Sequence, residues 1–544
     1  MNSLVLVIVA IVFFIAAYAT YGAWLAKKWG IDPEFVTPAH TMNDGVDYVP
    51  AKAPVLLGHH FSSIAGAGPI VGPITAAMFG WLPVFLWILI GSVFFGGVHD
   101  MGSLYASVKH GGKSIGEVIG ETMGPMGKKL FATFAWLTLI LVIAAFTNIV
   151  AAAFVSTPEA ATSSLLFIVL AIFFGVAVYR RGVSLVVGTV VGVALLGLSI
   201  WLGVLFPLSL SLNTWMIILL GYIIIASVTP VWILLQPRDY LNSFLLYAML
   251  IGGILGLVVM RPEIQLQAFT SFKVGTNYLF PILFITIACG AISGFHSLVG
   301  SGTTSKQLDK ASDVKVVGYG AMLIEGVLAT LAIITAAYLT KDQLATVSSA
   351  GGALNVFADG IGTFMSKLGL PFLVSKNFVT LAISAFALTS LDTATRLARF
   401  IFQEFFTVDT TKSESVQNAA RLMTNKYVST LITVIIGGAL AFKGYTLVWP
   451  IFGSANQLLA ALALLSLAVW LKQTGKSYKM AIYPMVFMFA ATLVALVLLM
   501  IANLSNPILL VFAVLLFILA IVLILESQKA FKVTGEKLEG TVRQ

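Results

Sequence analysis

Apolar stretches of about twenty residues, the length an α-helix needs to cross a bilayer, recur along almost the whole chain. They fall at 3–26, 56–78, 80–98, 129–154, 163–179, 183–206, 213–235, 241–260, 278–302, 315–339, 376–402, 426–442, 447–471, 480–502 and 506–526. Of the 544 residues, 59% are hydrophobic and 10% charged, against roughly one quarter charged in a soluble domain. A water-facing fold cannot bury that much apolar surface, so the pattern predicts an all-α polytopic membrane protein with about 15 or more transmembrane segments. The first window has no basic region ahead of it and is too long for a signal-peptide core, so it reads as a retained helix.

Lys and Arg alternate between the gaps, 25 of the 31 falling on one side and six on the other. Basic residues collect on the cytoplasmic side, which puts the N-terminus outside and the C-terminus inside. The net charge of +9 comes from these short loops rather than from a basic patch with interleaved aromatics, so the bilayer, not nucleic acid, is the expected partner. The gaps 27–55, 99–128, 340–375 and 403–425 are loop-sized, and the tail from Lys529 to Gln544 is short, charged and expected to be mobile. Within the outer gap, Ala353 to Phe372 is apolar enough for a surface or re-entrant helix that would partly cover an outer vestibule.

The segment Gly58 to Pro73 sits inside a crossing yet contains residues that stop a helix. Backbone polar groups cannot be left bare in hydrocarbon, so an unwound stretch there must be buried in protein or face a water-filled cavity. Gly66, Ala67 and Gly68 permit unwinding, and Pro69 suits the first turn of a new helix. The N–H groups of that second half-helix favour an anion such as a substrate carboxylate; tight helix packing through small residues is the alternative. A second interruption is expected at Thr229 and Pro230, followed by Gln236, Arg238 and Asp239. From the sidedness above, the two interrupted spans run in opposite directions, as in inverted-repeat transporters. The division that follows is 1–55 for a peripheral helix and loop, 56–206 and 207–402 for two inverted five-helix repeats, and 403–544 for peripheral helices and tail. His59, His60, Gly66 to Pro69, Thr229, Pro230 and Gln236 are then candidate substrate contacts. Arg238 and Asp239 are a candidate gating pair at the inner mouth, or a plain interfacial pair.

Ionisable groups at membrane depth are costly and need a reason to be there. Glu325 has no partner nearby in sequence and suits a coupling proton. Asp392 is a further candidate for the coupling ion, or, with Arg396 four residues on, pairs on one helix face. His296 suits a proton, whereas the hydroxyls of Ser297, Ser301, Thr303 and Thr304 suit Na⁺; the alternative is a close-packing helix face. His59, His99 and Asp100 raise a metal site, although adjacent histidines on a helix point about 100° apart. The amides of Asn456 and Gln457 follow possible kinks at Pro450 and Gly453. The single cysteine, Cys289, excludes disulfides and CxxC sites, and packing is its expected role. There is no GxxxxGK[ST] loop, so no nucleotide or other cofactor is expected.

The stretches Gly58 to Pro73, Gly97 to Asp100, Lys113 to Glu117, Gln236 to Tyr240, Ser293 to Thr304 and Trp449 to Gln457 resemble the carbon starvation protein A family of bacterial and archaeal carriers. The resemblance implies the amino acid, polyamine and organocation superfamily, a LeuT-type core of five plus five helices, and uptake of peptides or pyruvate through a prokaryotic cell membrane. The expected activity is therefore secondary active import of a small carboxylate nutrient, by proton symport or by Na⁺ symport. An intramembrane metal-dependent enzyme is the rival from another class, and no HExxH motif supports it.

Overall fold

The computed structural model describes residues 2–407, 414–504 and 507–532, and within them the chain is almost entirely helical. The charged tail beyond Lys532 lies outside the described residues. The helices used below are α1 (Leu4–Trp29), α2 (Ala53–Ile64), α3 (Gly68–Phe79), α4 (Trp81–Lys109), α5 (Ile115–Ser156), α6 (Pro158–Arg180), α7 (Leu185–Leu205), α8 (Leu212–Val228) and α9 (Leu235–Met260). A two-stranded hairpin, β1 (Lys273–Val274) and β2 (Asn277–Tyr278), is a small departure from the all-helical expectation. Then come α10 (Leu279–Thr286), α11 (Gly294–Gly302), α12 (Ala311–Ala337), α13 (Lys341–Ser349), α14 (Gly352–Ser366), α15 (Phe372–Phe406), α16 (Glu414–Met423), α17 (Lys426–Ala441), α18 (Tyr445–Gln473), α19 (Lys479–Ala502) and α20 (Pro507–Lys532).

Every apolar window of the sequence coincides with one of these helices or with a close pair of them. Among the described residues, eleven helices are long and apolar enough to cross a membrane, α2 and α3 form one further span bent by 45°, and α8 and α17 are shorter. Two polar gaps hold helix, one of them where a helix was expected over Ala353 to Phe372. Most of 99–128 is helix, because α4 runs on to Lys109 and α5 starts at Ile115, where the Ser114 hydroxyl accepts from the Glu117 N–H. Gly124, at φ +86°, breaks α5 near its start. The gap 340–375 folds into α13, opened by a reciprocal Thr340–Gln343 capping box, and α14, whose Val356, Phe357, Ile361 and Phe364 are buried against α9 and α15.

The first interruption lies where it was expected: α2 ends at Ile64 and α3 begins at Gly68. The second does not. Thr229 to Leu234 is the turn between α8 and α9, half-buried at its start, because Pro230 has no N–H to continue α8 and follows the last helical residue Val228. The partner interruption is Ile287 to Ser293, between α10 and α11.

The two broken spans lie side by side with opposed directions. Ahead of α2, the Ala51 N–H bonds the Gln307 carbonyl beyond α11 at 2.9 Å. At the other end, the Thr270 N–H reaches the Phe79 carbonyl and the Leu82 N–H reaches Ala268, both at 3.0 Å, joining the end of α3 to the approach to α10. Packing around them repeats with the roles exchanged. Helix α12 packs on α3 as α4 packs on α11, and α9 packs on α2 and α15 as α18 packs on α10 and α5.

Glycine makes the contact between the breaks close. A Cβ added at Gly72 would lie 2.6 Å from the Thr286 carbonyl oxygen, and one at Gly290 would lie 3.6 Å from the Pro69 Cα. Gly72→Ala should therefore push α3 off α10 and cost ~1–3 kcal/mol, as overpacking does. A thermal melt in detergent checks this, and an unchanged midpoint would mean the two spans are not in this contact.

Candidate functional site

Both breaks leave backbone groups that the helices no longer satisfy, and neighbouring side chains take them up. Around the first, Ser390 on α15 donates to the Ser63 carbonyl at 2.8 Å. Around the second, Trp87 donates to the Ile287 carbonyl, Ser92 to Gly290, and Gln457 to Phe284, at 3.3, 3.1 and 2.9 Å. Asn456 caps α11: its Oδ1 accepts from the Phe295 N–H at 2.8 Å, and its Nδ2 donates to Ser293 at 3.1 Å. The amides of Asn456 and Gln457 are thus the supports of the second break, on one helix that runs through both Pro450 and Gly453.

Two buried polar clusters flank the breaks. In the first, Arg238 in the opening turn of α9 holds Asp239 with Nη2 at 2.6 Å, Asp392 on α15, and the Tyr222 hydroxyl of α8 at 2.5 Å. Asp239 also accepts from His59 Nδ1 at 2.7 Å and from Thr389 at 3.1 Å, and Tyr222 donates to Asp392 at 2.6 Å. Arg238 is 1% and Asp239 0% exposed. The expected gate at the mouth, like the interfacial alternative, is instead an interior clamp joining α2, α8, α9 and α15.

In the second cluster, Asp100 on α4 accepts from His99 Nδ1 at 2.7 Å and from His296 Nδ1 at 2.9 Å. His296 turns its Nε2 to Glu325 on α12, 3.4 Å away. Neither that nitrogen nor either Glu325 oxygen has a hydrogen-bond partner in the structure. His60 joins α2 to the far end of α11 through Thr304, at 2.8 Å.

Other expected residues are used differently. Ser297, Ser301 and Thr303 each spend their proton on a carbonyl of their own helix, at 2.7, 2.6 and 3.0 Å, so their donors are tied to α11 itself. Gln236 donates to Gln307 at 2.6 Å, and Gln307 approaches His59 Nε2 at 3.4 Å. Gly66 abuts Phe146 and Ser390, Gly68 faces Cys289, and Pro69 lies against Gly290. Thr229 and Pro230 are not brought to the break. His59 turns to Asp239 rather than joining His99 and Asp100 around a metal.

Asp392 and Arg396 do not pair, because Arg238 takes the carboxylate. Arg396 instead bonds Asp47 at 2.8 Å, the Ala226 carbonyl at 2.8 Å and the Thr229 carbonyl. Sequence reasoning missed Asp47, which sits in a polar loop with nothing to single it out. That loop is pinned further: Asp44 accepts three backbone N–H bonds at 2.8–2.9 Å, and the Trp232 indole donates to Gly45 at 3.0 Å. Burial alone raises the Asp47 carboxyl, but the Arg396, Arg399 and Lys306 charges and the Arg396 hydrogen bond outweigh it and hold it below the usual carboxylate range. Tyr222 carried a weak signal, since a tyrosine hydroxyl in an apolar window needs a partner. A separate cavity of about 530 Å³, largely apolar, opens between α6, α7, α9, α14 and α15 and is distant in sequence from both breaks.

Relatives agree with this architecture. The family model for the carbon starvation protein CstA matches residues 2–351 and 342–495. The chain belongs to the CstA family. It is 33% identical to the peptide transporter CstA of Escherichia coli K12, over 91% of this chain and 80% of the relative. It is 32% identical to the pyruvate/proton symporter BtsT of the same organism, over 90% and 81%. Among solved structures, a manganese transporter of Eremococcus coleocola superposes with a TM-score of 0.54 at 11% identity, covering 90% of this chain and 99% of that one, which shows a shared fold. This CstA-family chain is a multi-pass membrane protein, and its relatives are transporters, not enzymes.

Arg238→Met should leave Asp239 and Asp392 uncompensated and cost ~3–5 kcal/mol, with Arg238→Lys intermediate, read by thermal melting in detergent; equal loss in both would rule out the forked contact. Asp47→Asn should cost ~1.5–3 kcal/mol near neutrality. Because the folded carboxyl is depressed, that stability is present above the unfolded value of ~3.9 and is lost as pH falls through the folded value. The melting gap between wild type and Asp47→Asn should therefore narrow below about pH 4; a gap independent of pH would exclude the ion pair as its source.

Proposed function

We propose that the chain is a secondary active transporter that imports a small carboxylate-bearing nutrient, pyruvate or a short peptide, in symport with protons. The observation that carries this reading is the contact of two interrupted helices of opposed direction, enclosed in buried polar clusters. In such a fold, substrate and coupling ion bind where the half-helices meet. The names of the relatives supply the substrate classes.

The core is read as a LeuT-type arrangement of two inverted five-helix repeats. The exchanged packing favours units spanning roughly 53–260 and 279–473, with α2–α3 matched to α10–α11, α4 to α12, α5 to α15, α8 to α17 and α9 to α18, and the remaining helices inserted between them. These bounds replace 56–206 and 207–402, which rested on the turn at Thr229. Substrate carboxylate would meet the N-terminal end of α3 at Gly68, next to Gly66, which abuts Phe146 and Ser390. Phe146 has Phe452 edge-on at 6.4 Å, an aromatic wall for the substrate's apolar part.

Protons are favoured over Na⁺ by the donor chemistry. His296 and Glu325 face each other with lone pairs that a proton between them would satisfy. The chain would sit in a prokaryotic cell membrane with its N-terminus outside and its C-terminus in the cytoplasm, as the basic residues indicate. Transport by this route needs no nucleotide or redox cofactor.

Counterflow of labelled pyruvate and of a labelled dipeptide into proteoliposomes, with pH and Na⁺ gradients imposed separately, tests the reading. Uptake should follow the pH gradient, and Glu325→Gln should abolish gradient-driven accumulation while sparing exchange. Accumulation unchanged in Glu325→Gln removes Glu325 from coupling, and counterflow of neither compound rejects the substrate class.

A further inference from the structure

Among the described residues, one group of three His, Cys, Asp or Glu side chains brings its ligand atoms within 4.8 Å of one another: Cys289, His296 and Glu325, all buried. They come from three places, the second break, the first turn of α11 and the middle of α12. Cys289 Sγ has Ser293 Oγ at 3.5 Å. The other donors are unpartnered: His296 Nε2 and both Glu325 oxygens make no hydrogen bond, although each is enclosed in protein.

We propose that Cys289, His296 and Glu325 form a site for one divalent transition-metal ion of borderline softness, with Zn²⁺ as the best match. Bonds of ~2.0–2.3 Å to a tetrahedral ion put neighbouring ligand atoms ~3.3–3.8 Å apart, and His296 Nε2 and Glu325 Oε2 stand at 3.4 Å. Sulfur, imidazole and carboxylate together suit zinc-like ions and not Mg²⁺ or Ca²⁺, which take oxygen alone. The Asp100 carboxylate accepts from His296 Nδ1, which directs the Nε2 lone pair into the site, and His99 holds Asp100 from its other oxygen. A carboxylate behind a ligating histidine is the usual support of a zinc ligand.

Binding would displace the thiol proton to solvent. Thiolate, carboxylate and a dication then sum to zero charge, which suits an enclosed apolar setting. An ion there would staple the break to α12. Binding itself does not depend on the transport reading, although it uses two of the groups that reading assigns to the proton.

Purified full-length protein titrated with Co²⁺ in detergent should show one thiolate-to-cobalt charge-transfer band per chain. Cys289 is the only cysteine, so no other residue can give it. Zn²⁺ should displace the cobalt and raise the wild-type melting temperature. Cys289→Ser should remove the band and weaken Zn²⁺ binding at least ~10-fold, and Asp100→Asn should keep the band while weakening binding ~10–100-fold. No band and no Zn²⁺-dependent melting shift in the wild type would overturn the proposal without reference to any variant's folding, as would Zn²⁺ binding unchanged in a folded Cys289→Ser. Absence of counterflow would reject the transport reading and leave the cobalt spectrum unaffected.

Discussion

The structure depends on a requirement that water normally relaxes: backbone N–H and C=O groups released by unwinding a helix in an apolar medium must find partners inside the protein. Ile64 to Gly68 and Ile287 to Ser293 release such groups at adjacent places. Ser390, Trp87, Ser92, Asn456 and Gln457, drawn from α15, α4 and α18, supply the partners. Each bond ties an outer helix to a break, so the helices that surround the broken spans are the same ones that keep their peptide groups satisfied. The glycines and prolines permit the breaks, and these side chains hold them.

The buried charges follow the same logic. Arg238 and Asp239 are neighbours in sequence, but Asp239 also binds His59, Arg238 also binds Asp392 and Tyr222, and both reach Thr389. Removing Arg238 would leave both carboxylates uncompensated in a low-dielectric interior. The clamp therefore fixes the first half of one broken span to α9 and α15. Near the loop that leads into α2, Arg396 and Asp47 make a second tie, at a place where moving α2 would strain both. Glu325 and His296 Nε2 face each other without a hydrogen bond, and it is there that an ion, a proton or a metal has something to gain.

Much of the helical layout was legible in the sequence because helices in lipid must be long and apolar, and each window found its helix. The first break was legible too, since Gly66, Gly68 and Pro69 sit in a run otherwise fit to cross. The second was misplaced for a physical reason. Pro230 stops α8, and a proline at the edge of a crossing reads like one inside it. Ile287 to Ser293 contains no proline, and its unwinding depends on Asn456 and Gln457 from a helix over 150 residues away. Pairings failed similarly: Asp392 and Arg396 are four apart and would meet on an isolated helix, yet stronger partners from α9 and the 42–52 loop claim each of them.

The amino-acid sequence by itself determined that this chain lives in a membrane, where its helices lie, that one crossing is interrupted at Gly66 to Gly68, and to which family it is related, because length, apolarity and local backbone permission are properties of short segments. Only the tertiary structure decided which second span breaks, that the two breaks run opposed and touch, and which of the ionisable side chains meet. Those outcomes depend on competition between partners distant in the chain, and in an interior without water the pairing that leaves the fewest polar groups alone prevails.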